Sequence, residues 1–270
     1  MCRHILIGTP VHSILPIYYQ IKQTIKAWII NREFNPGGKI PSENELAERF
    51  GVSRLTVRQA TGQLTQEGFL VGRRGEGTFV TDNVGLIESY NFEFRGLIDD
   101  FFFAQIADIK TKSTWIERMA APKPIREKLC LDAQAEEIVR IKRVRVLRET
   151  LFTISTNYLP LEIGEKIDEK ALYEKPLLQI LEQDLGVRFT EAVQTIAASF
   201  ADSETAAHLA VPSGSPILFT ERIMYAKGRK PVEVFHSSYP GDMYKFIVRY
   251  KNVVRRNGST WVQQGRMREE

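Results

Sequence analysis

Cysteine is scarce in this sequence: Cys2 and Cys130 are the only two among 270 residues. They lie far apart, and neither belongs to a spacing that binds a metal ion or forms a redox centre. A thiolate metal site is therefore not expected. Two scattered thiols fit a reduced, cytoplasmic setting.

Long hydrophobic runs and targeting signals are also missing. No stretch approaches the ~20 apolar residues that cross a bilayer, so no membrane partner is expected. The start of the chain is mildly apolar but is broken by His4, Pro10 and His12, unlike a cleaved signal peptide. The four histidines form no catalytic motif, and no nucleophile–base pair, metal spacing or phosphate loop is present. We predict no enzyme activity, no catalytic residue, no metal and no cofactor.

The excess of positive charge is modest. A formal net charge of +4 is too small for a protein that binds nucleic acid through bulk charge alone. With 43% hydrophobic and 26% charged residues, a chain of 270 residues has the composition and length of two globular domains. DNA binding would therefore depend on the positions of individual arginines and not on the net charge.

Residues 41–80 carry the densest set of local signals, PSENELAERFGVSRLTVRQATGQLTQEGFLVGRRGEGTFV. Ser42 and Glu45 have the spacing of a capping box, in which each side chain satisfies a backbone N–H at a helix start. Gly51 is suited to end this helix because glycine adopts a left-handed backbone without steric cost. A short first helix is predicted between them.

A second short helix follows, with Ser53 as its N-cap. Arg54 and Arg58 are four residues apart, so they share the outer face of this helix near its beginning. A recognition helix enters the major groove with these turns, and an arginine fork can bond guanine O6 and N7 together. A solvated helix face that happens to carry two arginines is the alternative interpretation.

A basic hairpin after this helix favours the DNA-binding interpretation. Segments 69–71 and 78–80 are predicted strands around Gly72-Arg73-Arg74-Gly75-Glu76-Gly77. The glycines permit a tight tip and a close approach of backbone to phosphate. Two helices and a hairpin in this order are typical of a winged helix-turn-helix, whose partner is double-stranded DNA.

The ordered pattern P-S-E-x-E-L-A-x-x-F-x-V-S-R-x-T-V-R-x-A, L-x-x-x-G and R-x-G-x-G-T-F-V resembles the N-terminal domain of bacterial GntR-type transcription regulators. The resemblance covers residues 16–80 and implies DNA contacts from the start of the second helix and from the wing. The DNA-binding residues that it implies are Ser53, Arg54, Thr56, Arg58, Arg74, Gly75 and Gly77. A further contact of some relatives falls here at Asn44, which can bond a base or a phosphate but adds no charge.

Beyond a turn-rich boundary at 81–85, the sequence contains an internal repeat. In each copy a short helix leads to two strands: 138–147 and 151–159 in the first, 217–225 and 232–239 in the second. Residues 176–185 read as a helix and 191–201 as another strand. We predict an antiparallel sheet covered by helices, which makes the fold class α+β.

Two arginines stand out in the first repeat. Arg143 and Arg145 share a face of their predicted strand, ~7 Å apart among apolar neighbours, because every second side chain points the same way. Burying guanidinium groups without an anion is costly. Glu233 is a candidate partner, and an arginine that it does not pair could receive the carboxylate or phosphate of a small molecule. A fully satisfied internal ion-pair network, or arginines at an exposed sheet edge, would fit the same residues.

The second half of the chain is similar to the effector-sensing UTRA domain of the HutC branch of GntR regulators. The similarity lies in RIKRVR, STNYLP, LLQILEQDLGV, HLAVPSGSPIL and PVEVFHSSYPGDMYKF, in that order. It implies a chorismate-lyase-like fold with an effector pocket in the sheet between the repeats. The effector-binding residues that it implies are Arg143, Arg145, Glu233 and Tyr239, with Ser155 and Tyr158 as further candidates.

One departure from that branch bears on the ligand. Its sugar-phosphate sensors carry Ser-Leu-Tyr at the start of the central helix, where this chain has Pro176-Leu177-Leu178. A phosphate-binding hydroxyl and a phenol are absent at these positions. A small organic acid is therefore favoured over a sugar phosphate as the anionic effector.

These features predict a winged helix-turn-helix DNA-binding domain at 14–81, a linker at 82–90, a UTRA-type effector-binding and dimerisation domain at 91–252, and a disordered tail at 253–270. We expect a ligand-responsive repressor: a homodimer that leaves a palindromic DNA operator when a small anionic metabolite binds. Two other functions stay open from the sequence, a small-molecule enzyme of lyase-like fold and a sequence-neutral DNA architectural protein.

Overall fold

The computed structural model describes residues 15–89, 92–94, 109–132, 136–148, 150–248, 250–255 and 258–263. The chain divides into two compact units between Asn91 and Phe92. The first unit is helical with a small hairpin, and the second is built on an antiparallel sheet. The predicted α+β class is confirmed.

Three helices form the body of the first unit: α1 (Ile17–Ile30), α2 (Glu43–Phe50) and α3 (Arg54–Gln66). Their apolar stripes are buried, with Ile21, Ile25, Ile29, Leu46, Val57, Ala60 and Leu64 all fully enclosed. Trp28 stacks on Phe50 with ring centroids 5.6 Å apart, which ties α1 to the end of α2.

The ends of α2 and α3 are held by the predicted capping residues. The Ser42 backbone N–H donates to Glu45 Oε2 at 2.7 Å, and the Glu45 N–H donates to Ser42 Oγ at 3.3 Å. Gly51 ends α2 with φ at +65°. Ser53 Oγ accepts from the Thr56 N–H at 3.2 Å and caps α3. Residues next to each other in sequence therefore set the helix-turn-helix geometry.

Strands β1 (Leu70–Arg73) and β2 (Gly77–Val80) form the hairpin after α3. Gly77 has φ at +118°, and a Cβ there would lie only 2.7 Å from Lys39 Cε. Lys39 itself forms a β-bridge with Phe79. The wing thus has a third segment beside it, and glycine at position 77 lets the lysine side chain lie against the hairpin.

The predicted linker at 82–90 is wrong over most of its length. Residues Val84–Ser89 form a helix, α4, which packs against α1. Ile87 is fully buried, and Asn83 Oδ1 accepts from the Leu86 N–H at 3.0 Å near the helix start. One buried side chain and one capping contact therefore attach this short segment to the first unit.

The second unit is built on one six-stranded antiparallel sheet in the order β4-β5-β6-β9-β8-β7. The strands are β4 (Ile109–Ala120), β5 (Glu137–Leu147), β6 (Thr150–Pro160), β7 (Phe189–Phe200), β8 (Pro216–Ala226) and β9 (Lys230–Pro240). The two hairpins predicted from the internal repeat, β5–β6 and β8–β9, lie side by side at the centre. Strand β4 was not predicted.

Short helices cover this sheet: α5 (Lys123–Lys128), α6 (Leu161–Gly164), α7 (Ala171–Glu174), α8 (Leu177–Gln179) and α9 (Ser203–Leu209). The helix predicted at 176–185 is only one α-turn, α8, followed by a π-helical turn at Ile180–Asp184. Leu177, Ile180 and Leu181 are buried as the sequence pattern predicted, in a cluster with Ile141 and Met224 of the sheet.

The predicted disorder of residues 253–270 is wrong for the part of that segment described here. Strand β11 (Tyr250–Arg255) pairs antiparallel with β12 (Gly258–Gln263). The register runs from Tyr250 opposite Gln263 to Arg255 opposite Gly258, so the polar composition of the segment does not prevent strand pairing. A separate short pair joins β3 (Phe92–Phe94) and β10 (Tyr244–Phe246) in parallel.

Helix α1, with 14 residues, falls short of the ~20 needed to cross a bilayer. None of the helices in the described ranges is long and apolar enough to span a membrane.

Replacing Ile87 tests whether α4 belongs to the first unit. Ile87→Ala should lower the free energy of opening that unit by about 2–5 kcal/mol, because it removes a buried side chain and leaves a cavity. Hydrogen exchange of the α1 amides in the full-length chain measures this quantity. Val84→Ala, at an exposed position of the same helix, should change it by less than about 0.5 kcal/mol. If Ile87→Ala and Val84→Ala both changed this free energy by the same small amount, residues 84–89 would be a linker and not part of the first unit.

Candidate functional site

The start of α3 presents two arginines that share one carboxylate. Arg54 Nε donates to Glu43 Oε2 at 3.0 Å, and Arg58 donates through Nε and Nη2 to the same carboxylate at 3.1–3.2 Å. The side chains of both arginines are nevertheless 58% exposed. Glu43 therefore holds the two guanidinium groups side by side on the surface, where they remain accessible to a partner.

The Glu43 carboxylate and the Arg58 guanidinium each stabilise the charged form of the other. The hydrogen bond from Arg58 is the main cause that lowers the pKa of the Glu43 carboxyl, and Glu43 raises the pKa of Arg58 in return. Glu43 was not among the predicted site residues. It stands 11 and 15 positions before its partners, at no periodic spacing, so only the fold brings it to them.

The other predicted residues of the helix-turn-helix lie at the same surface with different local roles. Ser53 is exposed, but its hydroxyl already contacts Thr56, with the two side-chain oxygens 2.8 Å apart. Thr56 is half-buried. Asn44 is exposed at the second position of α2. Capping is thus the structural role of Ser53 and Thr56, and a DNA contact would add to it.

The wing carries exposed cations around its predicted tip. Arg74, Gly75 and Gly77 are exposed, and Arg73 lies over the Phe79 ring at 4.3 Å from its centroid. Lys39 is exposed beside Gly77. Hydrogen bonds from Ser42 lower the pKa of Glu45, and the charge of Lys39 adds to this effect. Lys39 is therefore a cation near both the hairpin and the start of α2, and it was missed because it precedes the motif.

In the second unit, a hydrogen-bonded chain of buried polar side chains crosses the central strands. Arg143 Nη2 donates to Asn157 Oδ1 at 3.1 Å, and Asn157 Nδ2 donates to Glu233 Oε1 at 2.7 Å. Arg222 Nη2 donates to Glu233 Oε2 at 3.2 Å. Each of these four side chains is fully buried. The ion pair that the structure records for Glu233 is thus with Arg222 of β8, and Asn157 links it to the predicted Arg143.

Strand register explains why these groups meet. Arg143 lies opposite Ser155 on β6, and Ser155 lies opposite Ser237 on β9. Arg145 Nη1 donates to Ser155 Oγ at 3.2 Å. Directly opposed residues share a face, so the predicted Arg143, Arg145, Ser155 and Glu233 belong to one face of the sheet.

Tyr239 follows the alternation of β9 and is fully buried, with its ring edge-to-face on Phe152 at 5.5 Å. Asn157 and Arg222 were missed as members of this network. The signal for Arg222 was available, since it alternates with apolar residues on β8 as Arg143 does on β5.

Tyr158, the remaining predicted effector contact, does not lie with this group. It stands three residues after Ser155, so it points to the opposite face. There its ring lies edge-to-face on His236, with centroids 5.4 Å apart. Burial raises the pKa of Tyr158 and lowers that of His236, whose Nε2 lies 2.8 Å from Glu221 Oε2.

A cleft of about 190 Å³ occupies this opposite face. Two cations at its wall, Arg140 and Lys142, form ion pairs with Glu117 and Glu204. Aromatic, hydroxyl, aliphatic and acidic side chains complete the lining, namely Ile154, Thr156, Tyr158, Asp202, Glu204, Thr205, Phe219, His236 and Ser238. A further carboxylate at the wall, Asp202, accepts through Oδ1 from the Thr205 N–H at 2.7 Å. Over the described residues, no group of three His, Cys, Asp or Glu side chains is placed to hold a metal ion.

Family models match both units. Residues 17–80 match the model described as bacterial regulatory proteins, gntR family, and residues 104–245 match the UTRA domain. The chain is 30% identical over 242 residues to the HTH-type transcriptional repressor NagR of Bacillus subtilis, which covers 87% of this chain and 95% of that protein. It is 32% identical over 240 residues to the HTH-type transcriptional regulator Rv0792c of Mycobacterium tuberculosis, covering 87% and 86% of the two chains.

Solved structures agree with this fold. A possible transcriptional regulator, YydK of Bacillus subtilis, superposes with a TM-score of 0.52 at 20% identity over 88% of this chain and 100% of that one. PhnF of Mycobacterium smegmatis superposes with a TM-score of 0.50 at 23% identity over 84% and 97%. A regulator and not an enzyme is what the sequence relatives indicate. The chain therefore belongs to the gntR family of bacterial transcription regulators, with a DNA-binding domain of that family joined to a UTRA domain.

Proposed function

We propose that this regulator is a cytoplasmic repressor that binds a two-half-site operator as a homodimer and leaves it when a small organic acid enters the buried arginine network. The observation that carries the DNA half of the proposal is the pair Arg54 and Arg58. Both are exposed at the start of α3 and both are oriented by Glu43. A recognition helix uses these turns to meet base edges.

The DNA-contacting groups divide by the chemistry that they offer. Arg54 and Arg58 present planar forks suited to guanine, which is direct readout. The other groups offer single donors that suit phosphate oxygens. They are the side chains of Arg74, Ser53, Thr56 and Asn44 and the backbone at Gly75 and Gly77. The two arginines then carry sequence preference, whereas the remaining groups fix the protein on the duplex.

The proposed effector site is the network around Arg143, Arg145 and Glu233. Hydrogen bonds on this face join Arg222 to Glu233 directly, Arg143 to Glu233 through Asn157, and Arg145 to Ser155. A carboxylate ligand would add a bidentate acceptor in a place where water is excluded. Pro176, Leu177 and Leu178 offer no hydroxyl, and the two leucines are buried, which supports an organic acid over a sugar phosphate.

Release requires that the effector bind the two conformational states of the regulator with different affinities. A coupling of ~1–3 kcal/mol, which is about 5–150-fold in operator affinity, is the usual scale. The buried network suits such a role because its strands carry both the ligand contacts and the core of the second unit.

Selection of bound sequences from random duplexes tests the DNA half. The regulator should enrich a near-palindromic site and prefer it to random duplex by at least ~10³. Arg58→Ala should cost about 1–3 kcal/mol on that site and relax the base preference at one position of each half-site. Arg118→Ala, which removes the same charge from an exposed position in the second unit, is the control. Equal losses on operator and random DNA would show that Arg58 contacts only phosphate.

Glu43→Gln tests the shared carboxylate. Removing a negative charge beside two DNA-facing arginines should strengthen binding to random duplex, because the phosphates are no longer repelled. Replacing the charged carboxylate by an amide, which has only one acceptor oxygen, should loosen the orientation of both forks and lower the ratio of operator to random affinity. Titrations at fixed salt measure both quantities, and Glu48→Gln on the same helix removes an equal charge away from the arginines. An unchanged ratio in Glu43→Gln would remove Glu43 from the reading surface.

Thermal denaturation against a panel of small organic acids and sugar phosphates tests the effector half. Wild-type protein should be stabilised by an organic acid, by about 2.7 kcal/mol at a hundredfold excess over Kd. Arg145→Ala and Ser155→Ala should lose this response and keep operator binding. Tyr158→Phe, on the other sheet face, should keep both. If Tyr158→Phe lost the stabilisation by the organic acid while Arg145→Ala and Ser155→Ala kept it, the effector would bind in the cleft and not in the arginine network.

A further inference from the structure

The cleft lies on the opposite face of the sheet from the arginine network, and its floor consists of three neighbouring rows of residues. Successive side chains of a strand point to opposite faces, so the strand residues that line the cleft do not reach into that network. The cleft is therefore a separate place for a ligand. Its rows, in register across the strands, are Arg140–Tyr158, Lys142–Thr156–His236 and Ile154–Ser238–Phe219.

Two hydroxyl groups of this floor are not used by the protein. Ser238 lines the cleft and is only 8% exposed, and Thr156 beside it is half-buried. The Ser238 backbone carbonyl accepts from Thr153 Oγ1 at 3.1 Å, but neither the Ser238 nor the Thr156 hydroxyl has a hydrogen-bond partner among the described residues. Because buried polar groups are normally hydrogen-bonded, the nearly enclosed Ser238 hydroxyl indicates a cleft that receives a polar ligand.

His236 adds an uncharged acceptor to the floor. Its ring lies edge-to-face between Tyr158 and Phe219, with centroids 5.4 and 5.3 Å away. Burial lowers the pKa of His236, which favours the neutral ring. Its Nε2 lies 2.8 Å from a Glu221 carboxylate oxygen, which can only accept, so Nε2 carries the proton and Nδ1 is left as an acceptor.

The charged side chains of the cleft, in contrast, already interact with one another. Arg140 and Lys142 each form an ion pair with an exposed carboxylate. Hydrogen bonds from Thr205 lower the pKa of Asp202, and the charge of Lys142 adds to this effect. A ligand with a net charge of either sign would have to displace one of these partners. The groups that remain for a ligand are therefore uncharged.

We propose that this cleft binds a neutral, polyhydroxylated six-membered ring, such as an uncharged monosaccharide in its pyranose form. Its volume of about 190 Å³ suits a single ring, since a cavity of about 150 Å³ holds benzene. A sugar hydroxyl both donates and accepts, so it can bond the Thr156 and Ser238 hydroxyls and His236 Nδ1. The C–H groups of the ring then pack on the aromatic side chains of Tyr158 and Phe219.

Two other ligand classes suit the cleft less well. A flat heterocycle such as a nucleobase is favoured by parallel stacking, whereas His236 meets Tyr158 at 74° and Phe219 at 61°. A sugar phosphate or an organic acid would bring negative charge to a wall that already contains Asp202 and Glu204. The inference goes beyond the proposed function, because it needs neither DNA binding nor a ligand in the arginine network.

Calorimetric titration of the full-length chain tests the cleft. The neutral probes are D-glucose, D-galactose, N-acetyl-D-glucosamine and myo-inositol, and adenine is the flat comparison. At least one neutral probe should bind with a Kd in the millimolar range or lower, and more tightly than adenine. No binding by any of the four at up to about 50 mM, far above the Kd of a weak site, would overturn the proposal.

Removing the free hydroxyls locates the bound ring. Thr156→Val keeps the branched shape of the side chain, and Ser238→Ala removes only one oxygen atom. Each should weaken the affinity for the best neutral probe about threefold to tenfold, because each deletes one hydrogen bond to the sugar. Thermal unfolding of each variant establishes that it is folded. Unchanged affinity in both variants would show that the probe does not bind in the cleft.

The matched control, Thr195→Val, removes a hydroxyl from the same sheet face outside the cleft. Thr195 is exposed and lies opposite Glu221 on the far side from His236, so its replacement should leave the sugar affinity unchanged. Equal losses in Thr195→Val and Thr156→Val would contradict a site confined to the cleft. Adenine binding that is weakened by Thr156→Val, without binding of any sugar, would contradict the ligand class.

Ser155→Ala and operator binding separate this inference from the proposed function. Ser155 faces the arginine network, so Ser155→Ala should keep the sugar affinity; a loss there, with Thr156→Val unaffected, would place the sugar in that network and reject the cleft site. Sugar binding that depends on Thr156 and Ser238, in a protein without preference for any duplex, would retain the cleft site and reject the repressor. A wild type that selects an operator but binds no neutral probe would reject the cleft site alone.

Discussion

A guanidinium group that leaves water must be given acceptors, and the centre of the second unit is arranged around that requirement. Asn157 has the decisive position, because its amide accepts from Arg143 through oxygen and donates to Glu233 through nitrogen. A single amide thus supplies the acceptor to one charged neighbour and the donor to the other. The groups proposed to sense a ligand are therefore also groups that hold β5, β6, β8 and β9 together.

In the first unit, by contrast, the two arginines at the start of α3 are exposed to water. Arg54 and Arg58 remain largely in solvent, so their shared bond to Glu43 orients them at little desolvation cost. A partner can then replace water around the outer edges of both forks without first breaking a buried network. The contrast separates the two halves of the molecule: exposed arginines suited to a large polyanion, and enclosed arginines suited to a small anion.

Local rules predicted much of this fold from the sequence. Caps at Ser42, Gly51 and Ser53, the wing and both central hairpins follow from neighbouring residues and from period-two alternation. The same alternation separates Ser155 from Tyr158, and applying it strictly would have placed Tyr158 outside the arginine network. Helix α4 was missed because six residues are too few for a periodic signal, and its anchor is one side chain, Ile87.

Partners that are distant in sequence were not predictable in this way. Glu43 reaches Arg54 and Arg58 only because the turn at Gly51 folds α2 back on α3. Arg222 meets Glu233 because of the β8–β9 register, which no spacing rule supplies. The sequence therefore identifies the residues that carry charge, while the fold decides which charges are joined.

The shared carboxylate has an evolutionary consequence. If a descendant of this protein replaced Arg58 with a neutral residue in order to read a different base, Glu43 would keep only one cationic neighbour and would face the phosphates with less compensation. Operator preference in this lineage should thus drift through linked changes at three positions, 43, 54 and 58, and not through the helix alone.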